Sequence, residues 1–127
     1  MIAAALLLLA PAPQYASDYA YVKSQYDDTL VRWVQCLRGN FKDLAGSKDA
    51  ASEVAAAIMT LCTSEERATH QAYIPVLTYE LTDHMTFREA QRAVAATEER
   101  AKAAAADRMK QTVLAMLIKE RAGANPK

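Results

Sequence analysis

Apolar residues recur at intervals of three and four along most of this chain, and those intervals mark out its elements. Tyr19, Val22, Tyr26, Leu30, Trp33, Leu37, Phe41 and Leu44 form the first such stripe, which has the period of an amphipathic helix. Lys23, Asp27, Asp28, Arg32, Arg38 and Lys42 mostly fall off it. Ser17 or Asp18 is suited to cap its start. Gly39-Asn40 interrupts it, at about 1 kcal/mol relative to alanine, which predicts fraying or a bend. An aromatic stripe of this kind can bind a ligand, but at helical spacing it reads as core. Gly46 is a natural stop, and Ser47 or Asp49 a natural start for a second helix. Ala51, Val54, Ala55, Ile58, Leu61 and Cys62 form that helix's face, dense in alanine so that a neighbour can approach closely.

Beyond Cys62, Thr63-Ser64-Glu65-Glu66 either continues this helix or starts another. Ala68, Ala72, Tyr73, Val76 and Leu77 extend the apolar pattern, and Pro75 predicts a kink or break. Thr82-Asp83-His84-Met85 is a second turn. Thr86-Phe87-Arg88-Glu89 then has the form of a capping box. A last helix is predicted from Phe87 to Ala122, roughly 53 Å long. Glu98–Lys102, Glu89–Arg92 and Asp107–Lys110 have the spacing of helix-supporting ion pairs. The first half of this helix is mostly alanine and charge, with Val94 the one sizeable apolar residue between Phe87 and Met109. Met109, Val113, Leu114, Met116, Leu117 and Ile118 then cover more than one narrow stripe. One hairpin covers one stripe, so Leu114, Leu117 and Ile118 are expected to form an exposed surface for self-association or a protein partner.

Two further features bear on where such a protein works. Residues 1–12, MIAAALLLLAPA, match the apolar region of a signal peptide and are too short to span a bilayer. An uncleaved apolar segment is the alternative. The chain has two cysteines, Cys36 and Cys62. If it reverses at residues 45–49, facing residues have numbers that total about 98, as these two do. They then come within disulfide range, and stable disulfides belong to oxidising compartments. Closing that loop is worth about 3.5 kcal/mol in the chain-entropy account.

Tyr26 through Trp33-Val34-Gln35-Cys36, followed by Ala50-Ala51-Ser52-Glu53-Val54-Ala55 running into Cys62, resembles uncharacterised small exported proteins of alphaproteobacteria. In these, two cysteines tie a helical hairpin and the second follows an alanine-rich helix. The resemblance covers residues 26–62 and implies an envelope location with no defined activity.

Composition narrows the rest. Three glycines and four prolines suit long helices and argue against a many-stranded fold. The expected fold is all-α: a disulfide-tied antiparallel hairpin plus a long C-terminal helix, in an irregular three- or four-helix bundle. Residues 17–122 make one domain, 1–16 the signal peptide or apolar segment, and 123–127 a tail. Fifteen basic and fifteen acidic residues cancel, which gives no reason to expect nucleic acid. Nor does the sequence suggest a small-molecule substrate, a cofactor, or membrane contact beyond the N-terminal segment. The charge is uneven: residues 48–85 carry two basic and six acidic side chains, and 86–127 carry nine and five. Those segments are suited to dock on each other.

No phosphate loop, CxxC pair or Ser–His–acid set is present, and pairing the cysteines leaves no nucleophile. Catalysis is therefore not expected. Glu66-x-x-x-His70 and Glu80-x-x-x-His84 each place a carboxylate and an imidazole one helical turn apart, a spacing that can grip a divalent metal. Fourteen residues separate the pairs, about 21 Å on one helix, so only a fold-back across Pro75 would merge them. The expectation is a small exported, non-enzymatic interaction or structural protein of the bacterial envelope. The alternative is a periplasmic metal-binding or sensing helical module.

Overall fold

The computed structural model describes residues 11–124. Most of the apolar N-terminal run (residues 1–10) and residues 125–127 of the tail lie outside them. Four helices follow in order: α1 (Pro11–Leu44), α2 (Ala51–Leu61), α3 (Thr63–Leu81) and α4 (Phe87–Ala124). Among the described residues there is no strand. None of these helices is long and apolar enough to cross a membrane.

The hairpin extends well beyond the cysteines. α2 and α3 are separated by Cys62 alone, whose N–H turns back to the Met59 and Thr60 carbonyls. Together they form one arm that runs antiparallel to α1. Tyr19 donates to Glu80 at 3.0 Å, Tyr26 stacks on Tyr73 at 4.9 Å, and Cys36 is bonded to Cys62. In each pair the residue numbers total 98 or 99, so one register holds along the whole hairpin. α4 returns antiparallel to the second arm. Its start lies by the end of α3, where Phe87 meets Tyr79 at 5.6 Å. Its end lies over the α1–α2 turn, where the Arg121 guanidinium donates to the Ser47 and Asp49 carbonyls at 2.9 and 2.6 Å.

The main core sits at that turn end. Trp33 and Leu37 of α1, Val54, Ala55, Ile58 and Met59 of α2, Cys62, and Val113 and Leu117 of α4 form one buried cluster. Leu30, Phe41, Leu44, Met109 and Leu114 pack around it. Toward the opposite end the buried positions are smaller: Thr69, Val76, Thr78, Ala90 and Val94.

Local predictions divide. The capping box is half-formed, with Glu89 N–H donating to Thr86 Oγ1 at 3.2 Å. Glu98 pairs with Lys102 at 2.6 Å, whereas Glu89–Arg92 and Asp107–Lys110 do not close. α1 is already helical at Pro11, so Ser17 and Asp18 lie inside it; proline is tolerated in a first turn, where its missing N–H would be unpaired anyway. α1 also runs unbroken through Gly39-Asn40, where Asn40 Nδ2 donates to the Cys36 carbonyl at 3.0 Å. α2 is capped by neither Ser47 nor Asp49. Those two bond each other, and Ala50 holds the cap position without a side-chain bond. Gly46 ends α1 without a positive φ, because the Ala45 and Ser47 N–H groups reach the Phe41 and Leu44 carbonyls. α3 continues through Pro75, since Val76 and Thr78 are buried just beyond it and hold the helix in place. α4 includes Gly123 and Ala124, assigned to the tail above.

Candidate functional site

The α3–α4 seam gathers polar side chains in a concave setting. The helical period turns Glu66, His70 and Tyr73 of α3 toward α4, and Glu98, Lys102 and Ala105 meet them from the other side. Two cavities adjoin along this seam and share His70 and Lys102. One, of about 470 Å³, is polar and includes Thr63, Glu66, Arg67, Gln71 and Glu99. The other, of about 220 Å³, is more apolar and includes Tyr73, Ile74, Leu77, Val94 and Arg108.

His70 is the pivot. Its ring stands edge-on to Trp33, with centroids 5.6 Å apart. Its Nε2 is buried and has no hydrogen-bond partner. Burial pushes the imidazole below its ordinary pKa, and the Lys102 ammonium adds to this against the opposing pull of Glu66. At neutral pH the ring is therefore uncharged. Lys102 is held by Glu98 at 2.6 Å and Glu99 at 3.7 Å, and the Glu98 hydrogen bond foremost raises its pKa. Such a groove can take a polar ligand through the imidazole and the ammonium.

The Glu–His pairs do not converge. α3 runs unbroken from Glu66 to Glu80, and His84 is exposed in the turn beyond its end. The fold-back needed to merge them is absent, so the metal site formed jointly by His70 and His84 does not assemble. Lys102 beside His70 further opposes a cation there.

The predicted interaction surface is also altered. Leu117 is 0% exposed and belongs to the core, while Leu114 is half-buried against it and Ile118 remains 57% exposed. The expectation was that the hairpin covers a single narrow stripe of α4. Instead α4 lies against both α1 and α2: Val34, Leu37 and Phe41 approach it beside Met109, Val113 and Met116, and α2 packs along its other flank. Two neighbours cover a wider stripe than one. Met116, 42% exposed, flanks the opposite side of that stripe from Ile118.

The disulfide lies deeper than the sequence could show. Cys62 is fully buried and Cys36 half-buried, with Cα atoms 5.9 Å apart. Asn40 Nδ2 lies 3.5 Å from each sulfur. Glu65, in the first turn of α3, has a buried Oε2 without a hydrogen-bond partner, as has Trp33 at Nε1. Neither Asn40 nor Glu65 was singled out from sequence. Their spacing from the cysteines, Cys36-x-x-x-Asn40 and Cys62-x-x-Glu65, is the signal that would have found them. No family model, curated protein or solved structure matches this chain.

Proposed function

We propose that this chain is a small exported, non-enzymatic interaction or structural protein of the bacterial envelope. The observation that carries this reading is the Cys36–Cys62 disulfide inside the main core. Stable disulfides belong to oxidising compartments, and this bond ties α1 to the α2–α3 junction where Trp33, Ile58 and Leu117 pack. The apolar run at residues 1–12 supports export, and the resemblance over residues 26–62 supports an alphaproteobacterial envelope setting. The contact surface in this reading is the edge formed by half-buried Leu114 and exposed Ile118, and its partner is a second copy of the chain or another envelope protein.

Expression of the full chain in a bacterium, followed by fractionation and non-reducing mass analysis, tests this. The protein is expected outside the cytoplasm with no free thiol. Recovery in the cytoplasm with two free thiols would overturn the reading.

A further inference from the structure

The cysteine pair has chemistry close by that a purely structural crosslink does not require. Cys36 Sγ, Cys62 Sγ and a Glu65 carboxylate oxygen all lie within 4.8 Å of one another. Two arms supply them: Cys36 from α1, and Cys62 with Glu65 from the α2–α3 junction. Glu65 is half-buried, yet its Oε2 is buried and unpartnered, although a carboxylate oxygen withdrawn from water ordinarily acquires a donor or a cation. We propose that the reduced Cys36–Cys62 pair, together with Glu65, forms a binding site for a thiophilic divalent cation of the zinc type.

The geometry suits such an ion. Zinc–sulfur bonds of about 2.3 Å and zinc–oxygen bonds of about 2.0–2.2 Å place tetrahedral ligand atoms within 4 Å of each other. The Glu65 oxygen already lies within 4.8 Å of both sulfurs, and opening the S–S bond moves the two sulfurs apart toward that separation. Two thiolates and one carboxylate match the ligand preference of zinc. Three protein ligands leave the fourth position to water. Asn40 Nδ2, 3.5 Å from both sulfurs, is placed to donate to the thiolates and orient them.

The step balances. A dithiol reductant attacks Cys36, the half-buried sulfur, and Cys62 departs as the leaving thiolate. Two electrons pass from the dithiol to the S–S bond, its two protons go to the cysteine sulfurs, and the reductant is released as its own disulfide. The cation then displaces those two protons to water as it binds both sulfurs. The bond therefore acts as a gate: the oxidised chain is closed to the metal and the reduced chain is open. In an oxidising compartment the gate is closed, and it opens only where a dithiol reductant is supplied.

The test uses the full chain reduced with dithiothreitol, freed of it anaerobically, and titrated with cobalt(II) and then zinc. Sulfur-to-cobalt charge-transfer absorption is expected to saturate at one equivalent and to vanish on adding zinc. The oxidised chain is expected to show none. Glu65→Gln should weaken binding about tenfold or more, while Glu53→Gln, an exposed carboxylate on α2, should not change it. Helicity followed in parallel covers loss of folding on reduction: a reduced chain that unfolds is expected to regain helix with one equivalent of zinc. An absent band, a band equally strong in the oxidised chain, unchanged affinity in Glu65→Gln, or a reduced chain that zinc does not refold would each overturn the proposal.

Discussion

At the turn end of the bundle, Trp33, Leu37, Ile58, Val113 and Leu117 close around a buried disulfide, and Arg121 clamps the turn itself. At the other end, where Tyr19 meets Glu80, the buried positions are Val76, Thr78, Ala90 and Val94. The same helical bundle thus carries large apolar side chains in one half and small ones in the other. Alanine and threonine remove little area from water, so the second half, where α1 lies along α3, is packed through smaller side chains and ring contacts such as Tyr26–Tyr73 and Tyr79–Phe87. The His70–Lys102 groove lies between the two regimes. Local opening is therefore expected to begin at the Tyr19–Glu80 end. Amide hydrogen exchange should find α2 and the 109–118 segment of α4 more protected than residues 87–100. Equal protection throughout would break the comparison.

The largest expected effect of a substitution lies in the closed half. Leu117→Ala should cost about 2–5 kcal/mol, the usual range for truncating a buried leucine, and Leu117→Glu should prevent folding. Thr78→Val in the open half should stay within about 1 kcal/mol. Its hydroxyl donates to the Ile74 carbonyl at 2.9 Å, a bond within one helix turn that adds little. Denaturant midpoints for the two variants measure the contrast. A cost for Thr78→Val matching that of Leu117→Ala would show that the open half is as tightly packed.

Next comes the crosslink. Replacing Cys36 with Ser should lower stability by about 3.5 kcal/mol while leaving helical circular dichroism in place, because both stripes remain. Loss of all helicity would mean that the bond, and not the apolar cluster, holds the closed half together.

Much of this was legible in the sequence, for reasons that differ by element. The 19–44 stripe repeats for about seven turns, and the cysteines fix the hairpin register by arithmetic alone. The weak apolar content of residues 87–106 already marked the open half. Leu117 was misread because its burial depends on α4 settling against α1 and α2 together, a phase that periodicity does not encode. Ser47 and Asp49 looked like caps but bond each other, while their carbonyls meet Arg121 from seventy-odd residues away. Likewise, no local pattern could bring His70 to Lys102. That meeting depends on the α3–α4 register, which the turn at 82–86 sets.

Smaller effects sharpen the picture. Gly39 is an exposed glycine inside α1, and a Cβ there would meet nothing within 4 Å. Gly39→Ala is expected to stabilise the protein by up to about 1 kcal/mol, measured as a higher denaturant midpoint. His70 introduces a pH dependence. Its pKa is lowered in the fold, so the uncharged ring is favoured there. Its contribution is fully present above the unfolded value near 6.5 and is lost as pH falls toward and through the folded value. His70→Gln should flatten this part of the stability profile. An unchanged acid limb would place the dependence on other groups.

The smallest expected stability change belongs to Ile118, and it separates surface from core within one turn of α4. Ile118 lies one residue from Leu117, yet 57% of it is exposed against 0%, because a step of 100° carries it off the buried stripe. Ile118→Glu should therefore alter stability by no more than about 0.5 kcal/mol. If the Leu114–Ile118 edge is the contact surface, sedimentation of the wild-type chain at tens of micromolar should show self-association that this substitution reduces, with folding intact. That combination cannot be obtained from Leu117→Glu, which destroys the core and the surface together. A wild-type monomer under those conditions, also unaltered by the substitution, would leave Ile118 as a solitary exposed side chain of the ordinary kind. The second-copy reading would then lose its surface, while the disulfide-centred core would stand.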